Sequence, residues 1–439
     1  MPSSSPSRPS YVLFVLSLVM MLNIIDRQML AILIEPIKQE LGVSDASMGL
    51  LTGTSFALLH VVAMIPIASW ADRGSRRNLI AWGLGTWSAL TVLTGMARSF
   101  AEMFWVRLGL GVGEATAVPA SHSLVSDLFP IDRRATALSM LVLAGPVGQM
   151  LAYAGGGWIN ELWGWRAAFW VFGLPGLLLV VLIRTTIGEP ERGAADGSAG
   201  SWQPLPLSAA LRFLVGLRAY RHLALAAALS AVANYAILIW SAPLWMRVYE
   251  LGSGEVGTSL ALATGPATAA GVVLAGRLAD RLSRRDVRWL AWIPALACTL
   301  ALPFALGFAL APGHGLSVAW LIPATFFGAM VIGPIFTAVQ SAVWPNVRAV
   351  AAAWISLLLT AFGLGIGPPI VGWATDLGGA AYGADSLRYA LAGAVVCFGW
   401  AAIHLLLAAR SLASEMQATA ASGSAGPSPD LCPEGQLPR

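Results

Sequence analysis

The chain has 439 residues, of which 57% are hydrophobic and 11% are charged, whereas soluble globular proteins carry roughly 25% charged residues. This composition excludes water as the main solvent of the folded chain, and with it a soluble enzyme or binding domain. The net charge of +4 does not indicate nucleic-acid binding, because long apolar runs separate the charged segments and a lipid bilayer explains them better.

About twelve apolar runs follow one another, each long enough for a helix that crosses a bilayer with some tilt. They lack the alternation of barrel strands, and lipid offers no partners to open backbone groups, so we expect α-helices. The predicted fold is an all-α integral membrane protein with about twelve transmembrane helices. The runs lie at roughly 11–34, 46–70, 78–97, 102–128, 135–159, 165–186, 222–246, 256–279, 288–310, 316–342, 349–373 and 387–409.

Basic residues are distributed unevenly between the two sides of these helices. With a cytoplasmic N-terminus, nineteen lysines and arginines fall in inside segments and five in outside segments. The positive-inside rule therefore predicts a multi-pass protein of the cytoplasmic (inner) membrane with both termini in the cytoplasm.

The first run starts near Tyr11 and carries Asn23, Asp26 and Arg27. It is too long and too polar for the core of a signal peptide, so we expect it to be retained as the first helix. Side chains one position apart on a helix diverge by roughly 100°. Asp26 and Arg27 should therefore not pair with each other.

The fourth run carries Arg107 and Glu114, which are seven residues apart (114 − 107 = 7) and share one helix face. A charge at the bilayer centre costs ~2.5–3.5 kcal/mol on insertion scales, so such residues need a reason, and their shared face allows both to point into one cavity. The alternative interpretation is a buried ion pair that only holds helices together. His122 follows on the same run, either as a packing residue or as a contact for a solute.

The two halves of the chain repeat each other. The segment Ala71–Arg77 after the second run matches Ala279–Arg285 after the eighth, at an offset of 280 − 72 = 208, and Pro119 matches Pro334 at an offset of 215. We therefore predict two pseudo-symmetric six-helix bundles. The predicted domains are a cytoplasmic leader at 1–10, the N-terminal bundle at 11–186, a cytoplasmic linker at 187–221, the C-terminal bundle at 222–410 and a disordered cytoplasmic tail at 411–439.

The repeat places Asn234 opposite Asp26 and Ala329 opposite Glu114, so titratable groups within spans are confined to one half. We hypothesise that Asp26 and Glu114 bind and release a coupling proton. Arg27 and Arg107 would act as counter-charges or as contacts for a substrate anion, and His122 and Asn234 are further candidate substrate contacts.

The repeated loops carry charges at one cytoplasmic turn of each half. We interpret them as a cytoplasmic gate in which Asp72 and Asp280 bridge to neighbouring helix ends, while the alternative is that the arginines are only topology signals. The candidate gate residues are Asp72, Arg73, Arg76, Arg77, Asp280, Arg281, Arg284 and Arg285.

No motif of enzyme chemistry appears in the sequence. Gly109–Gly113 lies within an apolar run, follows no strand and lacks the lysine of a phosphate-binding loop. A nucleophile elbow, zinc-ligand spacing and a catalytic triad are also missing from the sequence. We therefore expect no enzymatic activity, no cofactor and no metal.

The sequence resembles the major facilitator superfamily, and within it the Spinster branch, over nearly all residues from about 11 to 410. The resemblance implies a proton-linked carrier, which in eukaryotic members moves sphingosine phosphate or lysophospholipids. It also implies that the matching Asp26, Arg27, Arg107 and Glu114 are proton and substrate residues. The segments that carry the resemblance are Ile25–Gln28, Ile34–Lys38, Gly49–Gly53, Arg107 with Gly111–Ala115, Pro119–Leu124 and Gly164–Phe169.

We therefore predict a proton-coupled secondary active transporter of a small organic solute, amphipathic or anionic, that works as a monomer in the lipid bilayer by alternating access. Its partners would be the solute, protons and lipid, without nucleic acid. One alternative is a symporter for carboxylates or sugar acids. An alternative of another class is a membrane receptor or scaffold that keeps the fold without transporting.

Overall fold

The computed structural model describes residues 9–189, 206–344 and 347–421, and these residues form helices and turns without a strand. Most of the predicted leader, the middle of the linker and residues 422–439 of the predicted tail lie outside the described residues. The helices of the first half are α1 Pro9–Ile32, α2 Ile34–Leu41, α3 Asp45–Gly49, α4 Ser55–Arg73, α5 Arg76–Thr94, α6 Phe100–Glu114, α7 Ala117–Leu128, α8 Ile131–Trp163 and α9 Trp165–Thr186.

The second half repeats this order after a short helix. Its helices are α10 Leu207–Gly216, α11 Arg218–Val248, α12 Ser253–Leu282, α13 Trp289–Leu310, α14 His314–Ala329, α15 Ile332–Ala342, α16 Arg348–Leu358, α17 Gly365–Tyr382, α18 Ser386–Val395 and α19 Cys397–Ala421.

These helices form twelve membrane spans, six in each half, which confirms the predicted fold. In the described residues, nine helical stretches are long and apolar enough to cross a membrane, and the last of them, Arg348–Thr419, is long enough to hold two spans. The polar α5 and the broken pair of α6 and α7 complete the twelve. Spans 1 to 6 are α1, α3 with α4, α5, α6 with α7, α8 and α9; spans 7 to 12 are α11, α12, α13, α14 with α15, α16 with α17, and α18 with α19.

Spans 4 and 10 break at equivalent places. Span 4 is interrupted around Ala115 and span 10 around Met330, which are 215 residues apart. Each break lies four residues before a proline, Pro119 or Pro334. Proline has no N–H and its ring crowds the carbonyl four residues earlier, so the helical hydrogen-bond ladder is interrupted at that carbonyl.

Large apolar side chains cover the outside of the molecule. Trp105 is 68% exposed and Leu178 is 73% exposed, and many other large hydrophobic side chains point outward in the same way. In water such a surface would aggregate, whereas lipid tails solvate it at no cost. The outer faces of the bundles are therefore the lipid-facing surface.

The two bundles meet at one end of the molecule, which carries Asp45 and Asp376 and which we call the closed end. Hydrogen bonds that join the bundles include those from the Tyr153 hydroxyl to the Leu238 carbonyl, 2.8 Å, and from the Thr54 hydroxyl to the Gly365 carbonyl, 2.7 Å. Among hydrogen bonds whose partners are both described, every one that crosses between bundles lies between the middle of the spans and the closed end. The positive-inside rule predicts that this end faces away from the cytoplasm.

The last helix runs past residue 410, where we placed the end of the second bundle, and continues to Ala421. Contacts with the bundle explain the extension. The Glu415 carboxylate accepts hydrogen bonds from the N–H groups of Arg218, 2.9 Å, and Ala219, 3.0 Å, at the start of α11. These contacts satisfy open donors at a helix start, so the first part of the predicted disordered tail is helical instead.

Candidate transport site

Four charged side chains from α1 and α6 come together inside the first bundle. Arg27 Nε donates to Glu114 Oε2 at 2.5 Å, and Arg107 Nη1 lies 3.6 Å from Asp26 Oδ2. The pairs therefore cross between the helices, and Asp26 does not pair with its neighbour Arg27, as predicted. Asp26, Arg107 and Glu114 are each no more than 3% exposed.

The two acids are incompletely hydrogen-bonded. The Thr91 hydroxyl on α5 donates to Asp26 Oδ1 at 2.6 Å. Asp26 Oδ2 and Glu114 Oε1 are buried and have no hydrogen-bond partner among the described residues. A buried carboxyl oxygen without a donor is a place where a proton can reside, because the neutral acid needs less solvation than the carboxylate.

A cavity of about 400 Å³, including its opening, lies beside these pairs, between the two bundles. The two arginines line the cavity, whereas Asp26 and Glu114 lie behind them. The lining residues are Ile24, Arg27, Gln28, Thr52, Phe56, Arg107, Tyr235, Ile239 and Leu364.

An aromatic stack of Phe56 and His60 packs against Arg27, the more exposed of the two arginines. The Arg27 guanidinium carbon lies 4.8 Å from the centre of the Phe56 ring, and Phe56 stacks on His60 with ring centres 4.9 Å apart. His60 Nδ1 is in turn 2.9 Å from the Gly111 carbonyl. Arg27 is therefore held by Glu114 on one side and by an aromatic face on the other, with 23% of its side chain exposed.

Two predicted substrate contacts do not line this cavity. Asn234 Nδ2 donates to the Ser230 carbonyl of its own helix at 3.0 Å, and its neighbour Tyr235 lines the cavity instead. His122 is partly exposed on α7 and is also absent from the cavity wall. Both residues keep their proposed roles only if the bundles rearrange.

Gln28 and Tyr235 line the cavity but are not among the predicted site residues, although the repeat points to Tyr235. Tyr235 is the counterpart of Arg27 at the 208 offset (235 − 27 = 208), and the two side chains line the same cavity from opposite bundles. Gln28 carries no charge, and in the sequence it appears only as the last residue of Ile25–Gln28, one of the segments that carry the resemblance.

The first candidate gate segment binds within its own bundle. Arg76 is 1% exposed and pairs with Asp127 at the end of α7 and with Glu189 after α9, where Nε and Oε1 are 3.0 Å apart. The backbone N–H of Arg77 also donates to Glu189, at 2.9 Å. Burial alone would raise the pKa of Glu189, but the Ser75 hydroxyl and the donors of Arg76 and Arg77 hold this pKa below its usual range. The backbones of Asp72 and Arg73 are helical, and their side chains lie outside the described part of the structure.

The second gate segment is solvent-exposed in this conformation. The bridge that we expected from Asp280 to a neighbouring helix end is not formed within the described residues. The repeat explains why Arg284, the counterpart of Arg76 (284 − 76 = 208), lacks the pair that Arg76 makes with Asp127: the position equivalent to Asp127 is Ala342 (127 + 215 = 342), which offers no carboxylate. Asp280, Arg281, Arg284 and Arg285 are all exposed.

A charged network at the closed end was also missed. Arg247 on α11 pairs with Glu35 and with Asp45, and Lys38 Nζ lies 2.7 Å from Asp45 Oδ1. Glu35, Lys38 and Asp45 belong to the first bundle and Arg247 to the second, so this network crosses between them. In the sequence, Lys38 and Arg247 are two of the five basic residues in outside segments, and Glu35 and Lys38 also belong to the resemblance segment Ile34–Lys38.

Comparison with known proteins places the chain in a family. Residues 16–368 match the model of the Major Facilitator Superfamily. An MFS-type efflux pump of Mycolicibacterium smegmatis is 32% identical over 391 residues, which are 88% of this chain and 89% of the pump. The sphingosine-1-phosphate transporter of Danio rerio is 31% identical over 237 residues, which are 52% of this chain and 45% of that protein.

A solved structure agrees with the fold. A bacterial homologue of the human lysosomal transporter Spinster, in an inward-facing and unoccupied conformation, has a TM-score of 0.84 and 27% identity, covering 94% of this chain and 99% of that one. The twelve spans, the family match and this similarity point to the same class of protein. The chain belongs to the Major Facilitator Superfamily, in its Spinster-like branch, and is a multi-pass membrane transporter that works by alternating access rather than an enzyme.

Proposed function

We propose that this transporter couples the movement of a small amphipathic anion to the movement of protons. The observation that carries the proposal is the order of the charges: two arginines line the cavity, and two buried acids lie behind them. An anion that enters the cavity meets Arg27 first, because 23% of the Arg27 side chain is exposed whereas Arg107 is 1% exposed. The acids can then respond to the anion without touching it.

Competition for Arg27 would link the two events. Glu114 holds the Arg27 guanidinium while the acid is ionised. When Glu114 takes up a proton its charge disappears, and the guanidinium becomes available to a solute anion. Departure of the anion would return Arg27 to Glu114, and the proton would leave. Asp26 and Arg107 form a second pair that can work in the same way.

The cavity wall indicates the class of solute. Ile24, Ile239 and Leu364 form an apolar surface beside the arginines. Gln28 is 8% exposed, and its Oε1 has no hydrogen-bond partner among the described residues. The site therefore suits a molecule with an anionic group, an apolar part and a nearby hydroxyl or ammonium donor. Sphingosine-1-phosphate, which the Danio rerio relative transports, has this chemistry.

Alternating access would expose the cavity to each side in turn. Closure at the end that carries Asp45 leaves the cavity open toward the Arg76 end, which we propose is cytoplasmic. The similarity to an inward-facing Spinster homologue supports this orientation. We propose that the protein resides in the cytoplasmic membrane with both termini inside and works as a monomer.

Flux measurements in proteoliposomes test the proposal. Lysophospholipids and sphingoid phosphates form one panel, and dicarboxylates and sugar acids the other, each measured with and without a pH gradient. We expect gradient-driven flux of the first panel, lost in Asp26→Asn and Glu114→Gln. Glu102→Gln is the control, because among the described residues the Glu102 carboxylate accepts only from the Arg98 N–H of its own bundle.

The outcomes separate the alternatives. Flux of the second panel alone would make the protein a carboxylate or sugar-acid symporter. If both acid variants leave the flux of the first panel unchanged, Asp26 and Glu114 are not the proton sites. Absence of any solute-dependent flux, with tight binding of a partner protein, would indicate a receptor or scaffold.

A further inference from the structure

Two carboxylates at the closed end reach from one bundle to a helix start in the other. Glu161 Oε2 on α8 accepts from the Gly254 N–H of α12 at 2.7 Å. Asp376 on α17 accepts from the N–H groups of Asp45, 3.0 Å, and Ala46, 2.8 Å, at the start of span 2. Each contact pairs an anion with donors that a helix start leaves open.

The internal repeat relates these two contacts. Asp376 is the counterpart of Glu161 (376 − 161 = 215), and Gly254 is the counterpart of Ala46 (254 − 46 = 208). The acceptor and its donor are therefore related by the same pseudo-twofold axis as the bundles.

Backbone contacts beside the carboxylates follow the same symmetry. A Cβ on Gly257 would lie 2.1 Å from the Tyr153 carbonyl oxygen, and a Cβ on Gly49 would lie 2.7 Å from the Pro368 carbonyl oxygen. These residues are also related, since 257 − 49 = 208 and 368 − 153 = 215. A side chain is thus excluded at Gly257 and at Gly49, so the backbones approach closely along two seams, one between α8 and α12 and one between α17 and the start of span 2. This close approach brings each carboxylate within reach of the facing helix start.

We infer that Glu161 and Asp376 are paired gating residues that hold this end of the transporter closed and release it in each transport cycle. Alternating access requires the seam to open, and a rigid rotation of one bundle against the other separates both contacts together. Water can then solvate the carboxylates and the N–H groups, so the contacts are reversible. The inference depends on neither the solute nor the coupling ion.

The two gating residues, Asp376 and Glu161, differ in their surroundings. Asp376 uses both carboxylate oxygens and lies beside Asp45, whose side chain bonds Lys38 and Arg247. Glu161 accepts a single backbone bond, next to the neutral contact from Asn160 to Ser253 at 2.9 Å. An amide at position 376 must lose one of its two acceptor bonds, whereas an amide at position 161 can keep its only one. Asp376→Asn should therefore open the seam more than Glu161→Gln.

A cysteine buried in the seam reports the opening. Ala261 on α12 is 3% exposed and lies on the same helix face as Gly257 and Thr264, both of which contact α8. Ala261→Cys in a chain with Cys298, Cys397 and Cys432 replaced by alanine is labelled with a membrane-impermeant maleimide in proteoliposomes of known orientation. Controls are Glu102→Gln and Asp385→Asn, whose carboxylates bind partners of their own bundle, Arg98 and Arg388, in the described part of the chain.

We expect Asp376→Asn to raise the labelling rate about fivefold to tenfold and Glu161→Gln to raise it less. The double variant should multiply the two factors, because the two carboxylates bind different helix starts and share no hydrogen-bond partner among the described residues. Asp376→Glu, which keeps the charge and both acceptors, should label more slowly than Asp376→Asn.

Labelling that neither amide variant changes, or that the controls raise equally, would overturn the inference. Size-exclusion profiles and unfolding temperatures show whether each variant is folded. If Asp376→Asn does not fold, Glu161→Gln and Asp376→Glu carry the test, and equal labelling in both and in the parent would reject the gating role.

Discussion

Arg27 on α1 reaches across to Glu114 on α6, with Nε and Oε2 2.5 Å apart, while only the arginine faces the cavity. This arrangement distinguishes a coupling role from a purely structural ion pair. An ion pair that only stabilises the fold does not need a partner that faces a cavity. Here one partner is available to a solute and the other is closed off from it.

The variant Glu114→Gln tests this coupling. It fixes position 114 in a neutral form, which frees Arg27 permanently. We expect flux driven by a pH gradient to fall at least ~10-fold, while exchange of labelled for unlabelled solute without a gradient persists. Loss of both activities together would indicate that Glu114 contributes to the fold or to solute binding instead.

Gln28 should determine which solutes bind. Gln28→Met keeps a similar volume but removes the buried acceptor. We expect the affinity for a solute with a hydroxyl or ammonium donor next to its anionic group to fall about 5-fold to 20-fold, while an analogue without that donor binds as before. Competition binding to purified protein measures both, and an equal loss for both solutes would contradict the assigned contact.

A side chain at Gly257 should keep the closed end open. Gly257→Val places a Cβ 2.1 Å from the Tyr153 carbonyl oxygen, so α8 and α12 cannot approach as they do in this structure. We expect transport to fall at least ~10-fold and the Ala261→Cys reporter to be labelled faster. Gly276→Val on the same helix is the matched control, because a Cβ there meets no atom within 4 Å. Equal effects of the two substitutions would argue against the seam.

The contact of Glu189 with Arg76 should make stability depend on pH. The pKa of Glu189 is lowered in the folded protein from an ordinary value of 4.5. The stabilisation is therefore fully present above about pH 4.5 and is lost as the pH falls through the lower folded pKa. We expect Glu189→Gln to lower the unfolding temperature by about 2–4 °C at pH 7 and to have a smaller effect at pH 3.5. Thermal unfolding in detergent at both pH values measures this, and a pH-independent difference would contradict it.

The sequence predicts the positions of the membrane spans better than it predicts the ion pairs between α1 and α6. A bilayer fixes the length of its helices, so apolar runs alone located the twelve spans. The angle between Asp26 and Arg27 followed from helix geometry. The crossed pairing with Arg107 and Glu114 did not, because it depends on how α1 and α6 pack.

The gating residues Glu161 and Asp376 could not be identified from the sequence for a different reason. Glu161 and Asp376 lie near span ends, where charges are common, so charge within lipid could not single them out. The repeat relates them at the 215 offset, but their role appears only when their backbone partners at Gly254 and Ala46 are known. Tyr235, by contrast, could have been found from the offset to Arg27.

The cluster of two arginines and two acids has an electrical consequence. With all four groups ionised its charges sum to zero. If one proton accompanies each monoanion, as proposed, no net charge crosses the membrane. The flux would then not depend on the membrane potential. A dianion with the same proton would move one negative charge, worth about 2.3 kcal/mol per 100 mV. The voltage dependence of flux thus reports the ionic form of the solute.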